Sequence, residues 1–149
     1  MTRFDKFLGG FAIVAVMAVS FLPVVAYAED KDVIDYRQHV MKALDAQTAA
    51  LGMTVSTQVP DDNLLGHIDA IAFMAKAALK SFEAKVPGGE AKPEVWAKWD
   101  DFSKRMNEFV EKTEDLSKSA RTGGMPVVME KMVTALTCKG CHDDYRNKK

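Results

Sequence analysis

Apolar residues recur at intervals of three and four along four stretches of the chain, the pattern of helices that each bury one face. The first stretch runs from about Asp32 to Leu51. Its stripe is Val33, Arg37, Val40, Met41, Leu44, Thr48 and Leu51, and its end is expected at Gly52. The second opens after Pro60, where Asp61 or Asp62 is placed to cap it. It carries Leu64, Ile68, Ile71, Ala75, Ala78 and Phe82 on one face and stops before Pro87-Gly88-Gly89. The third starts near Pro93, with Glu94 at the positive end of the helix dipole. Its stripe is Trp96, Trp99, Phe102, Met106, Phe109, Thr113 and Leu116. Arg121-Thr122-Gly123-Gly124 separates it from a fourth, which opens near Pro126 and continues through Val128, Met132, Ala135 and Leu136 to the C-terminal segment. No alternating β-branched run bounded by turn signals appears, so no sheet is expected. Four amphipathic helices with short connections predict an all-α, antiparallel, up-down-up-down four-helix bundle. Met74, Met106, Met132, Trp96 and Trp99 are read as packing residues of its core.

The segment before the first helix has a different composition. Arg3 and Lys6 give a positive start, Leu8 to Val25 form an apolar run, and Ala26-Tyr27-Ala28 reads as a small-x-small cleavage site. The run approaches the roughly 18–20 residues that a membrane span needs. Pro23 and the Ala-x-Ala ending favour a secretory signal peptide over residues 1–28, cleaved before Glu29, with one domain over 29–149. With 20 basic and 21 acidic side chains the chain is close to neutral, which gives no support to nucleic-acid binding. No membrane association is expected after cleavage. Arg146, Lys148 and Lys149 make the C-terminal tail basic, a candidate docking patch or simply a solvated end.

Chemistry concentrates at the end of the fourth helix, in Cys138-Lys139-Gly140-Cys141-His142. Cys-x-x-Cys-His is the attachment signature of haem c: the thiols add to the porphyrin vinyl groups and the histidine binds the iron axially. On a helix, Cys138, Cys141 and His142 project from one face. A structural zinc site would need a further ligand pair, which is missing. A thioredoxin-type pair belongs in a βαβ context, and a plain disulfide leaves the adjacent histidine unexplained. These are the chain's two cysteines. Export agrees with the motif, since bacteria attach haem c outside the cytoplasmic membrane, and periplasmic localisation is expected.

The sixth coordination position decides what such an iron does. An apolar residue leaves it open to small gases, whereas a strong ligand closes it into a low-spin electron carrier, and methionine raises the potential. At 100° per residue Met41 lies about 40° from Arg37 and about 60° from Leu44, on the inward stripe, whereas His39, about 200° from Met41, faces out. His67 sits at the edge of its helix's apolar face, a boundary position. Periodicity alone leaves Met41 a core residue.

A single haem c site on the last helix of a four-helix bundle resembles the class II cytochromes c, which include cytochrome c prime. The likeness covers 29–149. It includes Tyr36-Arg37-Gln38, then Gly88-Gly89-Glu90-Ala91-Lys92-Pro93-Glu94-Val95-Trp96, then Cys141-His142-Asp143-Asp144-Tyr145-Arg146. In this family the residue four after the Arg of Tyr-Arg-Gln points at the distal haem face, and here that residue is Met41. Cytochrome c prime typically has a non-ligating residue such as leucine there, so Met41 departs from that pattern and resembles a low-spin branch in which methionine binds the iron. The resemblance also implies that Arg37 and Gln38 border the haem and its propionates, that Glu90 lies near the haem edge, and that Arg146 stands near the proximal ligand. The expectation is a periplasmic monohaem one-electron carrier with one covalent haem c, its iron held six-coordinate by His142 and Met41. It is expected to be no enzyme in its own right and to meet periplasmic redox partner proteins; the resemblance adds that family members are often homodimers through the first two helices, while the apolar residues here can serve the core alone, so oligomeric state stays open. The alternative is a five-coordinate, cytochrome c prime-like protein binding nitric oxide, with Met41 packed over an open iron.

Overall fold

In the computed structural model residues 28–148 are described, so the expected signal peptide lies outside the described residues but for Ala28. The helices are α1 (Asp30–Val55), α2 (Leu64–Phe82), the single turn α3 (Glu94–Ala97), α4 (Trp99–Ala135) and α5 (Cys138–Tyr145). α4 is two arms: Gly124, at φ 59° and ψ −155°, breaks the helical path just before Pro126. A side chain at Gly124 would meet nothing within 4 Å, so glycine is needed there for its backbone and not for space. α1, α2 and the two arms of α4, the second extended by α5, are the four segments of the expected bundle. Among the described residues the β pairing is confined to isolated bridges, Gly88 with Ala91 and Ala91 with Arg146. No helix among them is long and apolar enough to cross a membrane.

Several boundaries differ from the sequence expectation. α1 passes through Gly52 and ends at Val55, because Leu51 and Thr54 on either side of it are buried and the Thr54 hydroxyl donates to the Ala50 carbonyl. Those contacts outweigh the roughly 1 kcal/mol that a helical glycine costs. The chain leaves the helix at Thr57, which takes φ 60°. α2 starts at Leu64 with Asn63 in the cap position and no side-chain cap, so neither Asp61 nor Asp62 caps it. Pro93 precedes a single turn that inserts Val95, 1% exposed, into the core. Lys98, at φ −120° and ψ 44°, then breaks the path, so Trp96 and Trp99 lie on separate helices. The fourth segment is likewise broken, at Leu136 and Thr137, and the Cys-x-x-Cys-His motif occupies its own two-turn helix.

The core falls into two clusters. Leu51, Leu64, Ile68, Ile71, Leu116, Ala120, Val128 and Ala135 close one end. Val40, Leu44, Ala78, Phe82, Val95, Phe102, Met106 and Tyr145 form the other, near the haem motif. Met74, Trp96 and Trp99 pack against the second cluster and Met132 against the first, while Met106 is buried, so all five serve packing as expected. Asp69 of α2 accepts from Ser117 and from Arg121, both at 2.6 Å, tying α2 to the first arm of α4.

α5 is fastened to α4 by Tyr145. Its ring stands edge-on to Phe102 at 5.2 Å and its hydroxyl donates to the Asp101 carboxylate. Arg105 bridges Asp101 at 2.9 Å and Asp144 at 2.8 Å and lies over the Tyr145 ring. Burial, reinforced by Asp101, pushes the Tyr145 phenol up to about 12, and the bond from Tyr145 holds Asp101 below the usual carboxylate range.

Two outcomes are expected. Ile68→Ala opens a void in the closed end and lowers stability by about 2–5 kcal/mol in chemical denaturation. The neutral phenol favours the fold fully below the ordinary tyrosine value of 10.0, and that contribution is lost as pH rises through about 12. Asp101 contributes above the ordinary carboxylate value and loses its contribution as pH falls through its lowered one. Tyr145→Phe therefore flattens the alkaline fall in thermal midpoint, which a melting series across pH reads directly.

Candidate haem site

Beside the second core cluster, between α1, α4 and α5, lies a cavity of about 390 Å³. Arg37, Gln38, Met41 and Leu44 of α1 line one side. Cys138, Cys141 and His142 of α5 line another, and Phe102, Met106 and Phe109 of α4 complete an apolar wall. Residues i, i+3 and i+4 share a helix face, which is why α1 and α5 each bring three or more side chains to this one space. Both cysteines are free thiols, Cys138 exposed and Cys141 half-buried.

The residues present fit a covalently held haem. Two thiols and an imidazole on one short helix, a thioether on α1 and apolar walls match the attachment, axial and packing demands of a flat macrocycle. Burial pushes both thiols up, with the charge of Arg105 opposing at Cys141. Burial, then the Arg146 charge, pulls His142 down. The neutral imidazole is the form that binds metal, so this environment favours ligation near neutral pH. The Trp96 indole N–H is the one buried side-chain polar atom among the described residues without a hydrogen-bond partner, and its ring lies 5.3 Å from the Arg37 guanidinium.

The other expected site residues gather at the same edge, with duties the sequence did not give. Arg37 is 3% exposed and borders the cavity. Its guanidinium donates to the carbonyls of Val86 at 3.0 Å and Gly88 at 2.9 Å and lies over the neighbouring Phe82 and Trp96 rings. Arg37 is therefore first an anchor for the loop between α2 and α3. Gln38 lines the cavity with Gly89 pressed against it: a Cβ at Gly89, where φ is 65°, would stand 2.6 Å from the Gln38 amide nitrogen. Glu90 and Arg146, 56 positions apart, form an ion pair at 3.3 Å on the cavity rim. His39 is exposed, and His67 is half-buried with its ring bonded to Gln47 at 2.8 Å, so neither lines the cavity.

Sequence reasoning missed Lys92, Arg105 and the Tyr145 hydroxyl as supports of α5. Tyr145 had a local signal, an aromatic residue one turn beyond His142. The others had none, because their partners on α5 lie 35 to 53 residues away.

A family-wide sequence profile described as cytochrome C' matches residues 32–146. Cytochrome c' of Pararhodospirillum photometricum is 33% identical over 123 residues, spanning 76% of this chain and 94% of its own. Cytochrome c' of Alcaligenes xylosoxydans xylosoxydans is 25% identical over 130 residues, 83% of this chain and 99% of its own. Among solved structures, a nitric oxide complex of a cytochrome c prime variant from Alcaligenes xylosoxidans superposes with a TM-score of 0.76 at 24% identity, covering 83% of this chain and all of that one. Cytochrome c prime from Shewanella frigidimarina gives 0.74 at 24% identity, with the same coverage. These two likenesses bear on the fold. The expected low-spin, Met-ligated branch finds no support among these relatives, all of which are named cytochrome c prime. The profile over almost the whole helical domain and the 33% identical relative show that the chain belongs to the cytochrome c prime family, four-helix-bundle cytochromes that carry one covalently attached haem c.

Proposed function

We propose that this protein holds its haem c through thioethers from Cys138 and Cys141, ligates the iron through His142, and offers the distal face beneath Met41 to a small neutral gas such as nitric oxide. The observation that carries this reading is the single cavity lined from one side by Met41 and from another by the thiols and His142. Met41 packs against an apolar cluster that includes Leu44, Phe82 and Met106, a setting that suits a neutral diatomic ligand and disfavours an anion. The solved structures of similar fold include nitric oxide complexes of cytochrome c prime from Alcaligenes xylosoxidans, which supports the same choice. The haem supplies the reversible iron couple and the coordination position. The chain fixes the imidazole, keeps bulk water from the distal side and sets what reaches the iron. On this reading the protein is a binding protein or carrier, not an enzyme in its own right. It is exported to the periplasm after loss of residues 1–28 and meets redox partner proteins there, with a homodimer through α1 and α2 as its assembly.

A second reading, a six-coordinate His142/Met41 electron carrier, rests on one observation: the Met41 thioether lines the same cavity as His142, and a methionine opposite a histidine can close such a site.

Two measurements test these assignments. The wild-type chain keeps its haem through denaturing chromatography, and Cys138→Ser with Cys141→Ser loses all of it; retention by the double variant sinks the thioether assignment. The reduced protein is expected to give a broad high-spin spectrum that shifts on adding carbon monoxide. Sharp reduced α and β bands, indifference to carbon monoxide and a far-red oxidised band lost in Met41→Ala would instead establish the carrier.

A further inference from the structure

The last four carbonyls of an α-helix have no partner within it. In α5 all four are satisfied, and one residue outside the helix satisfies three of them. The Lys92 ammonium donates to the carbonyls of Asp143 at 3.0 Å and Asp144 at 3.2 Å, and the Lys92 backbone N–H donates to that of Tyr145 at 2.9 Å. The remaining carbonyl, of His142, accepts the Arg146 N–H at 3.0 Å. Lys92 thus places a cation at the negative end of the helix dipole and binds the backbone of the last turn. The residue that opens this turn is His142.

The segment bearing Lys92 is itself fixed. Arg37 holds the carbonyls of Val86 and Gly88, Gly89 packs on Gln38, and the Asn147 N–H closes onto the Glu90 carbonyl at 2.8 Å. A continuous set of contacts therefore runs from α1, one turn before Met41, through the α2–α3 loop to the turn that carries the proximal histidine.

We propose that Lys92 is a positioning residue for the proximal ligand: its ammonium caps the last turn of α5 and so fixes the direction in which His142 meets the iron. This rests on His142 being that ligand. An eight-residue helix does not hold its own shape in water, so its last turn takes its geometry from what it is tied to. Tyr145 and Asp144 tie α5 to α4 through side chains, whereas Lys92 ties the backbone itself. The two ammonium bonds lie at the surface, where water competes for them, so removing the ammonium moves the histidine more than it lowers global stability.

The test compares haem-loaded wild type, Lys92→Met, which keeps the stem and loses the ammonium, and Lys92→Arg. Nitric oxide is added to the ferrous protein, and electron paramagnetic resonance counts the nitrogens on iron, reporting whether His142 stays bound. Lys92→Met is expected to raise the histidine-detached fraction several-fold and Lys92→Arg to restore it, with little change in thermal midpoint. Backbone amide exchange at Arg146, which Lys92 does not touch, is expected to speed up several-fold in Lys92→Met with or without haem. An unchanged nitrogen count, or a lowered midpoint as the only effect, overturns the inference alone. A wild-type chain that takes up no haem overturns the function on which it rests.

Discussion

A helix of two turns cannot stand alone in water, yet α5 carries both thiols and the imidazole on which the site depends. The architecture of the open end follows from docking it. The break at Leu136 and Thr137 frees α5 from the axis of α4, so that it follows its own contacts. Tyr145 then enters the core against Phe102 and reaches Asp101, Arg105 joins Asp101 to Asp144, and Lys92 takes up the terminal carbonyls. Two elements distant in sequence, α4 and the α2–α3 loop, thus hold one short helix to the rim of a cavity.

The two ends of the bundle divide the work. At the closed end Leu51, Ile68, Ile71 and Leu116 are fully buried. That end needs no cofactor to complete it. At the open end the stripe residues Met41, Leu44, Met106 and Phe109 belong to one packed cluster and also border the cavity. A haem with apolar faces would cover the half-buried Met41 and Phe109, so haem binding and folding of this end are coupled.

Arg37 shows how a residue can occupy the expected place with an unexpected duty. A buried guanidinium must find acceptors, and here it takes two carbonyls of the α2–α3 loop while lying over the Phe82 and Trp96 rings. The loop it fixes is the loop that clasps α5. An arginine on α1 thereby bears on the helix that carries the Cys-x-x-Cys-His motif.

The sequence by itself determined the fold class, the four apolar stripes, the attachment motif and the side of α1 on which Met41 lies. These are local in origin: helical period, a five-residue chemical pattern, and angular separation within one helix. It misjudged the end of α1, the start of α2 and the unity of the third and fourth helices. At Gly52, Lys98 and Leu136 buried contacts with other segments outweigh intrinsic helix preference or its lack. The Glu90–Arg146 pair, the Tyr145–Asp101 bond and the Lys92 clasp belong to the tertiary structure alone. Each joins residues tens of positions apart, and a distance of that kind leaves no trace in periodicity or spacing.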